Sequence, residues 1–291
     1  MTDKALFCFG YGYTAATLAR LLTPNGWAVA GTTTRADKAK DMAALGVSAR
    51  LWPTESFDPT WLDGAEAILV STPPGEEGCP AFNAAGEAIA ERRDEIRWLG
   101  YLSTNGVYGD HQGAWVDESS ATKTQSQRGL NRLKAEAQWR DLSAESDTPV
   151  AIFRLPGIYG PGRSTFDAIK AGRARRIVKP GQVFSRAHVD DIAAALEASV
   201  FRPEAGDLFN VADDLPAPPQ DVVAFAYHLL GETPPSEEPF DGATMSAMAR
   251  SFYADNKRVR NERLKSALGV KLSYPTYREG LTAIFQQSLR S

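Results

Sequence analysis

The sequence predicts an α/β fold built on a doubly wound parallel sheet. Three observations carry that expectation. Short apolar runs alternate with stretches of helical periodicity through the first half of the chain. One run, Ala67 to Val70, is continuously apolar, the pattern of a strand buried on both faces. The first run, Ala5 to Phe9, leads directly into a glycine-rich turn that opens a helix. Alternation of this kind implies parallel strands joined by right-handed crossovers.

Taken in order, Ala5 to Phe9 reads as a strand and Thr14 to Leu22 as a helix, with Ala15, Leu18, Ala19 and Leu22 on one side. Trp27 to Gly31 is a second strand. Lys38 to Leu45 is a helix stopped by Gly46, and Val47 to Trp52 a third strand. After the Ala67 to Val70 strand come a helix over Phe82 to Arg93, a strand over Arg97 to Leu102, a long helix over Arg128 to Leu142 and a strand over Val150 to Arg154. The second half is more mixed. Asp190 to Phe201 reads as a helix, Leu208 to Val211 as a strand, and Asp221 to Leu230 as a helix following the proline-rich Leu215 to Pro219. Thr233 to Phe240 reads as a loop, Asn256 to Leu268 as a basic helix closed by Gly269, and Tyr277 to Leu289 as a final helix.

Composition narrows the function classes. Apolar residues make up 43% of 291 residues, enough for a full core. The net charge of −4 argues against a nucleic-acid or membrane-surface partner. The first apolar run is too short for a signal-peptide core or a spanning helix. Two distant cysteines, Cys8 in a strand and Cys79 in a loop, form neither a disulfide framework nor a zinc site, and a reducing cytoplasm fits them. The three histidines lack metal spacing, so no metal is expected. Trp61, Trp98, Trp115 and Trp139 read as packing residues.

Gly10-Tyr11-Gly12-Tyr13-Thr14-Ala15 matches G-x-G-x-x-A between a strand and a helix, the dinucleotide-binding turn of a Rossmann-type domain. Gly10 permits the tight turn, Gly12 admits a pyrophosphate close to the backbone, and Ala15 keeps the helix near the sheet. The helix N-terminus presents free N–H groups to the phosphates. An Asp or Glu at the end of the second strand would select NAD, but the chain has Gly31-Thr32-Thr33-Thr34-Arg35 there. Arg35, with Thr32 and Thr33, suits a 2′-phosphate, so NADP is favoured over NAD, although Asp37 stands close by.

Further segments resemble the extended short-chain dehydrogenases/reductases, the NAD-dependent epimerases and dehydratases. They are Leu102-Ser103-Thr104-Asn105-Gly106-Val107-Tyr108-Gly109, Arg154-Leu155-Pro156-Gly157-Ile158-Tyr159-Gly160-Pro161-Gly162-Arg163, Arg186-Ala187-His188-Val189-Asp190-Asp191-Ile192-Ala193 and Phe209-Asn210-Val211-Ala212. These motifs run in family order from residue 5 to about 214, and the remainder carries none. The resemblance implies Thr104 as the hydroxyl that meets a substrate oxygen. It places Pro156 at the nicotinamide, and Ser71, Thr72 and Pro73 along the cofactor's phosphates and ribose. It implies an NAD(P)-binding Rossmann domain over 1–155 and mainly a smaller C-terminal substrate lobe over 156–291, with segments near 186–212 returning to the first domain. It also implies a homodimer.

The family's catalytic Tyr and Lys, in Y-x-x-x-K, do not stand in this chain. No tyrosine lies between Tyr108 and Tyr159. Anchoring on Glu136 as the family glutamate puts Arg132 at the Lys position and Arg128 at the Tyr position. A second frame puts Lys134 and Leu130 there. An arginine cannot act as a general base, but it can hold an anion. Arg128 and Arg132, four apart, would share a helix face and clamp a carboxylate or phosphate, unless they face solvent or pair with Asp117 or Glu118. The departure resembles an atypical branch of the family.

His188 is expected to be structural at the start of a helix capped by Asp190 or Asp191. His111 is expected near the cleft and His228 at the core's edge. Two readings stand. One is an NAD(P)-dependent oxidoreductase or epimerase/dehydratase acting on a small anionic or sugar-nucleotide substrate, with the proton moved by Tyr108, His111 or water. The other is a catalytically inactive nucleotide-dependent sensor or partner-binding protein.

Overall fold

A computed structural model describes residues 4–290. Along the chain run β1 (Ala5–Phe9), α1 (Tyr13–Leu22), β2 (Ala28–Thr33), α2 (Ala36–Ala44), β3 (Ser48–Leu51), β4 (Ala67–Val70), α3 (Pro80–Glu91) and β5 (Trp98–Thr104). Then come β6 (Trp115–Val116), α4 (Gln127–Ser146), β7 (Val150–Leu155), β8 (Gly157–Tyr159), α5 (Thr165–Lys170), β9 (Arg176–Val178), β10 (Arg186–His188), α6 (Val189–Val200) and β11 (Leu208–Asn210). The chain finishes with α7 (Pro219–Leu230), β12 (Glu237–Pro239), α8 (Ala247–Phe252), β13 (Arg258–Val259), α9 (Glu262–Leu268) and α10 (Tyr277–Ser288).

Among the described residues, seven strands form one sheet in the order β11-β7-β5-β4-β1-β2-β3, every pair parallel. The order reverses beside β1, so the helices fall on both faces, and the fold is a doubly wound Rossmann-type sheet. Alternate side chains of the central strands face opposite cores. Leu6 and Cys8 of β1 lie with Leu18 of α1, Met42 of α2 and Ile192 of α6. Phe7 and Phe9 lie with Ala85 of α3 and Trp139 of α4. Each fully buried large apolar side chain contributes about 1.5–3 kcal/mol, so these two layers hold the sheet between them.

α4 shows how sequence places the element that matters most below. Ser126 caps it, accepting from Gly129 N, and Asp147 closes it in the left-handed region at φ 58°. Its buried residues Ala135, Glu136, Trp139 and Leu142 recur at helical spacing and face the sheet.

Several sequence expectations need correction. β2 runs through Thr33, so Thr32 and Thr33 belong to the sheet rather than to the turn after it. Asn256 to Leu268 is not one helix. Its first part is extended, with Arg258 and Val259 pairing with Trp115 and Val116, and α9 begins only at Glu262. Tertiary pairing overrides the helical pattern there. The loop expected over Thr233 to Phe240 contains β12, paired with β9. α6 is capped by His188, whose Nδ1 accepts from Asp190 N, while Asp190 and Asp191 occupy its first turn. Cys79 is fully buried at the start of α3, Trp115 is 46% exposed, and His228 is exposed. No helix among the described residues is long and apolar enough to cross a membrane.

Candidate active site

The glycine turn follows β1. Gly10 has φ +87°, and a Cβ there would lie 2.8 Å from Ser71 Oγ. Its N–H donates to Thr32 Oγ1 at 2.8 Å, and Ser71 Oγ donates to its carbonyl at 2.5 Å. Tyr11 N donates to Thr32 O at 2.7 Å. The turn is thus fixed from β2 and from the end of β4. At Gly12 the opposite holds, because a Cβ there would meet nothing within 4 Å. Gly12 is the N-cap of α1, with no side-chain cap and no acidic residue in the first turn. The first N–H groups of a helix have no partner within it, so this end offers open space lined by donors and the positive end of the dipole. The residues present therefore fit a dinucleotide pyrophosphate. Tyr11, Thr14 and Ala15 are buried beneath the turn, and Tyr13 OH donates to Pro161 O at 2.9 Å, tying the helix to the loop after β8.

At the adenosine end, Thr32 is 1% exposed and its hydroxyl is engaged by Gly10, so it supports the turn instead of facing a 2′-phosphate. Thr33 Oγ1 accepts from Arg35 N at 3.3 Å. Arg35 is exposed and forms a short ion pair with Asp37, which holds that carboxyl down at about 2. Beyond β4, Ser71 is half-buried, Thr72 buried and Pro73 exposed. Two α4 side chains pin this loop, Gln138, which sequence reasoning missed, and Lys134, which it weighed only as a catalytic position. Gln138 Oε1 accepts from Cys79 N at 2.7 Å, and Lys134 Nζ donates to Glu76 O at 2.8 Å.

β5 delivers Thr104 to the same end of the sheet. Its Oγ1 accepts from Gly106 N at 3.1 Å and caps the short 3₁₀ turn Asn105–Tyr108. Tyr108 is fully buried, donates to Asn210 Oδ1 at 2.8 Å and lies under the Arg154 guanidinium. Burial pushes its phenol up, and its proton is committed to Asn210 inside the core, so it does not face an open cleft. His111 sits with Nε2 3.1 Å from Ala121 O. Pro156 is buried between β7 and β8. Behind Thr104, Glu136 is fully buried and accepts from Ser103 Oγ at 2.6 Å and from Arg154 Nε and Nη2 at 3.0 and 2.7 Å. The bidentate pair locks α4 to β7, and the Ser103 bond ties it to β5.

The two arginines do not act alike. Arg132 Nη1 donates to Leu102 O at 2.6 Å and Tyr101 OH at 3.0 Å, so it is committed to β5. Arg128 is exposed, with its guanidinium 5.4 Å from the Phe252 ring centroid. Neither pairs with Asp117, which accepts from Ser119 and Ser120, or with Glu118, which accepts from Asn210 N.

The segment 253–260 is a strap, and sequence reasoning took its part from Asn256 onward for helix. Asn256 O accepts from His111 N and Gly113 N, and Arg258 N donates to Ala114 O. On its other side Asn256 Oδ1 accepts from Val183 N, and Gln182 Nε2 donates to Asp255 O. Lys257, 8% exposed, donates to Gly109 O at 2.9 Å, and burial lowers its pKa. Beyond β11, Asp213 is 2% exposed and forms no ion pair among the described residues. Burial pushes its carboxyl up to about 8 against the opposing pull of Arg186.

Residues 87–212 match the NAD dependent epimerase/dehydratase family. The chain is 49% identical to a structurally characterised, functionally unknown conserved protein from Silicibacter pomeroyi, covering 98% of this chain and 99% of that one with a TM-score of 0.90. It is 28% identical to Protein YeeZ of Escherichia coli over 94% of this chain and 97% of that protein. A 3-diazoavenalumate denitrifying reductase from Streptomyces is 30% identical over 51% of each chain. UDP-glucuronic acid 4-epimerase from Bacillus cereus, solved in complex with NAD, shares the fold at 15% identity, with a TM-score of 0.76 over 97% of this chain and 96% of that one. The sheet, its glycine turn and these matches agree: residues 87–212 carry the NAD dependent epimerase/dehydratase domain, and the chain as a whole shares the fold of solved epimerases and dehydratases.

Proposed function

We propose that the protein is an oxidoreductase that binds NADP in preference to NAD and acts on a small anionic substrate. The observation that carries the reading is the uncapped N-terminus of α1 with open space at Gly12. When bound there, the nicotinamide cofactor supplies hydride chemistry. Gly10, Gly12 and the first turn of α1 hold its pyrophosphate, and Arg35 and Thr33 hold the 2′-phosphate. Ser71, Thr72 and Pro73 border its path, with Pro156 beside the nicotinamide. Thr104 accepts from Gly106 N and keeps its own proton to donate to a substrate oxygen. In the frame anchored on Glu136, Arg128 takes the place of the family's tyrosine; it carries a permanent charge and orients an anionic group. The reductase from Streptomyces supports a redox reading over epimerisation. Residues beyond 156 complete the substrate side.

Calorimetric titration of the purified protein with NADPH and NADH tests this. Tighter binding of NADPH, by about ten-fold, is expected from a charge-assisted contact to the 2′-phosphate. Failure of both nucleotides to bind would overturn it. Nucleotide binding with no turnover of any carbonyl or diazo substrate would favour a sensor, the reading to which an arginine at the tyrosine position also lends weight.

A further inference from the structure

We infer that the substrate is a planar apolar carboxylate, an aromatic or conjugated acid, held between Arg128 and the Met248–Phe252 face of α8; this rests on the oxidoreductase reading above. The position of Arg128 follows from its neighbours. Gly129, the next residue in α4, packs directly on Thr124, and Thr124 N donates to Val107 O in the short turn that Thr104 caps. The first turn of α4 is therefore held against the turn that follows β5, the end of the sheet that carries Thr104, the hydroxyl assigned to the reacting end of the substrate.

The surroundings of Arg128 define what suits it. Among the described residues it has no carboxylate partner, so its charge is available to a ligand. Its guanidinium lies against the Phe252 ring, which is 52% exposed. Met248 is four residues earlier in α8 and 63% exposed, so the two share one helix face and form an apolar wall. Neighbouring α8 positions offer no acid to compete for the arginine. A carboxylate that takes the guanidinium's donor edge brings its own body alongside that wall. A flat apolar body is stabilised there by burial and by stacking on Phe252. A polyhydroxylated sugar would lose water from its hydroxyls against the wall and gain no partner for them. The site thus selects against the substrates of sugar-nucleotide enzymes while keeping their affinity for negative charge.

The test is calorimetry on the full-length protein saturated with NADPH, using trans-cinnamate, its neutral amide and UDP-glucuronic acid as probes. Cinnamate is expected to bind about ten-fold more tightly than cinnamamide, the difference being one charge-assisted pair. Arg128→Met should weaken cinnamate by about ten-fold, and Phe252→Ala by about five-fold through lost stacking. Both side chains are exposed, so the variants should fold, and their NADPH affinity checks that they have. Equal binding of cinnamate and cinnamamide, unchanged cinnamate affinity in Arg128→Met, or tighter binding of UDP-glucuronic acid would overturn the inference. NADPH binding without cinnamate binding defeats this substrate class alone. Absence of NADPH binding defeats the reading beneath it, and the inference with it.

Discussion

Gly10 and Gly12 stand two residues apart and are needed for different reasons. Gly10 is held at positive φ against Ser71, whereas Gly12 faces open space. Gly10→Ala should therefore destabilise the fold by about 1–3 kcal/mol in chemical denaturation. Gly12→Ala should leave stability unchanged and weaken NADPH binding by about ten-fold, because the methyl fills the room a phosphate needs. If both variants lost stability equally, the open side of Gly12 would not be a ligand cradle. Asp37→Asn should tighten NADPH binding without altering the affinity for NADH, since it frees Arg35 from its ion pair. Calorimetry of both nucleotides checks this. The glycines were legible because the motif specifies a backbone shape, and backbone shape is what spacing encodes. The role of Thr32 was not, since its hydroxyl meets Gly10 only through the pairing of β1 with β2.

α4 carries the most consequential mixture of legible and hidden features. Its length, its buried stripe and the absence of a tyrosine could all be read from the chain. The partners of its charged residues could not. Glu136 was recognisable as an anchor, yet its bonds to Ser103 and Arg154 depend on strands 33 and 18 residues away. Glu136→Gln would leave Arg154 buried beside a neutral partner, and should cost about 3–5 kcal/mol of stability by urea titration. A loss below 1 kcal/mol would mean that Arg154 finds another acceptor. Arg128 and Arg132 share a helix face in sequence, but only Arg132 reaches a strand carbonyl. The strap was misread for a related reason. Strands of two or three residues are too short to show a period, and β13 exists only because β6 lies beside it.

At the scale of the whole molecule, the doubly wound sheet was written plainly in the alternation of apolar runs, while the buried charges that tune its stability were not. Asp213 shows the consequence. Its folded pKa of about 8 lies above the unfolded value, so the folded state binds the extra proton. Stability should be highest below the unfolded pKa and fall as pH rises through 8, by roughly 1.4 kcal/mol for each pH unit crossed inside that window. His188 acts in the opposite direction, since burial lowers its pKa and the unfolded chain takes up its proton first as pH falls. Denaturation of wild type and Asp213→Asn at pH 6 and 8 isolates the Asp213 contribution; an unchanged difference between the two pH values in the variant would show that another group is responsible. The strap between the 109–116 loop and residues 182–183 adds a kinetic property to this equilibrium one. Its amides at Arg258 and Arg260 donate to Ala114 O and Val116 O, and they can exchange with solvent deuterium only when the ties to the loop part. Their uptake is thus a clock for the opening of the cleft, and a ligand that bridges Thr104 and Arg128 should slow it.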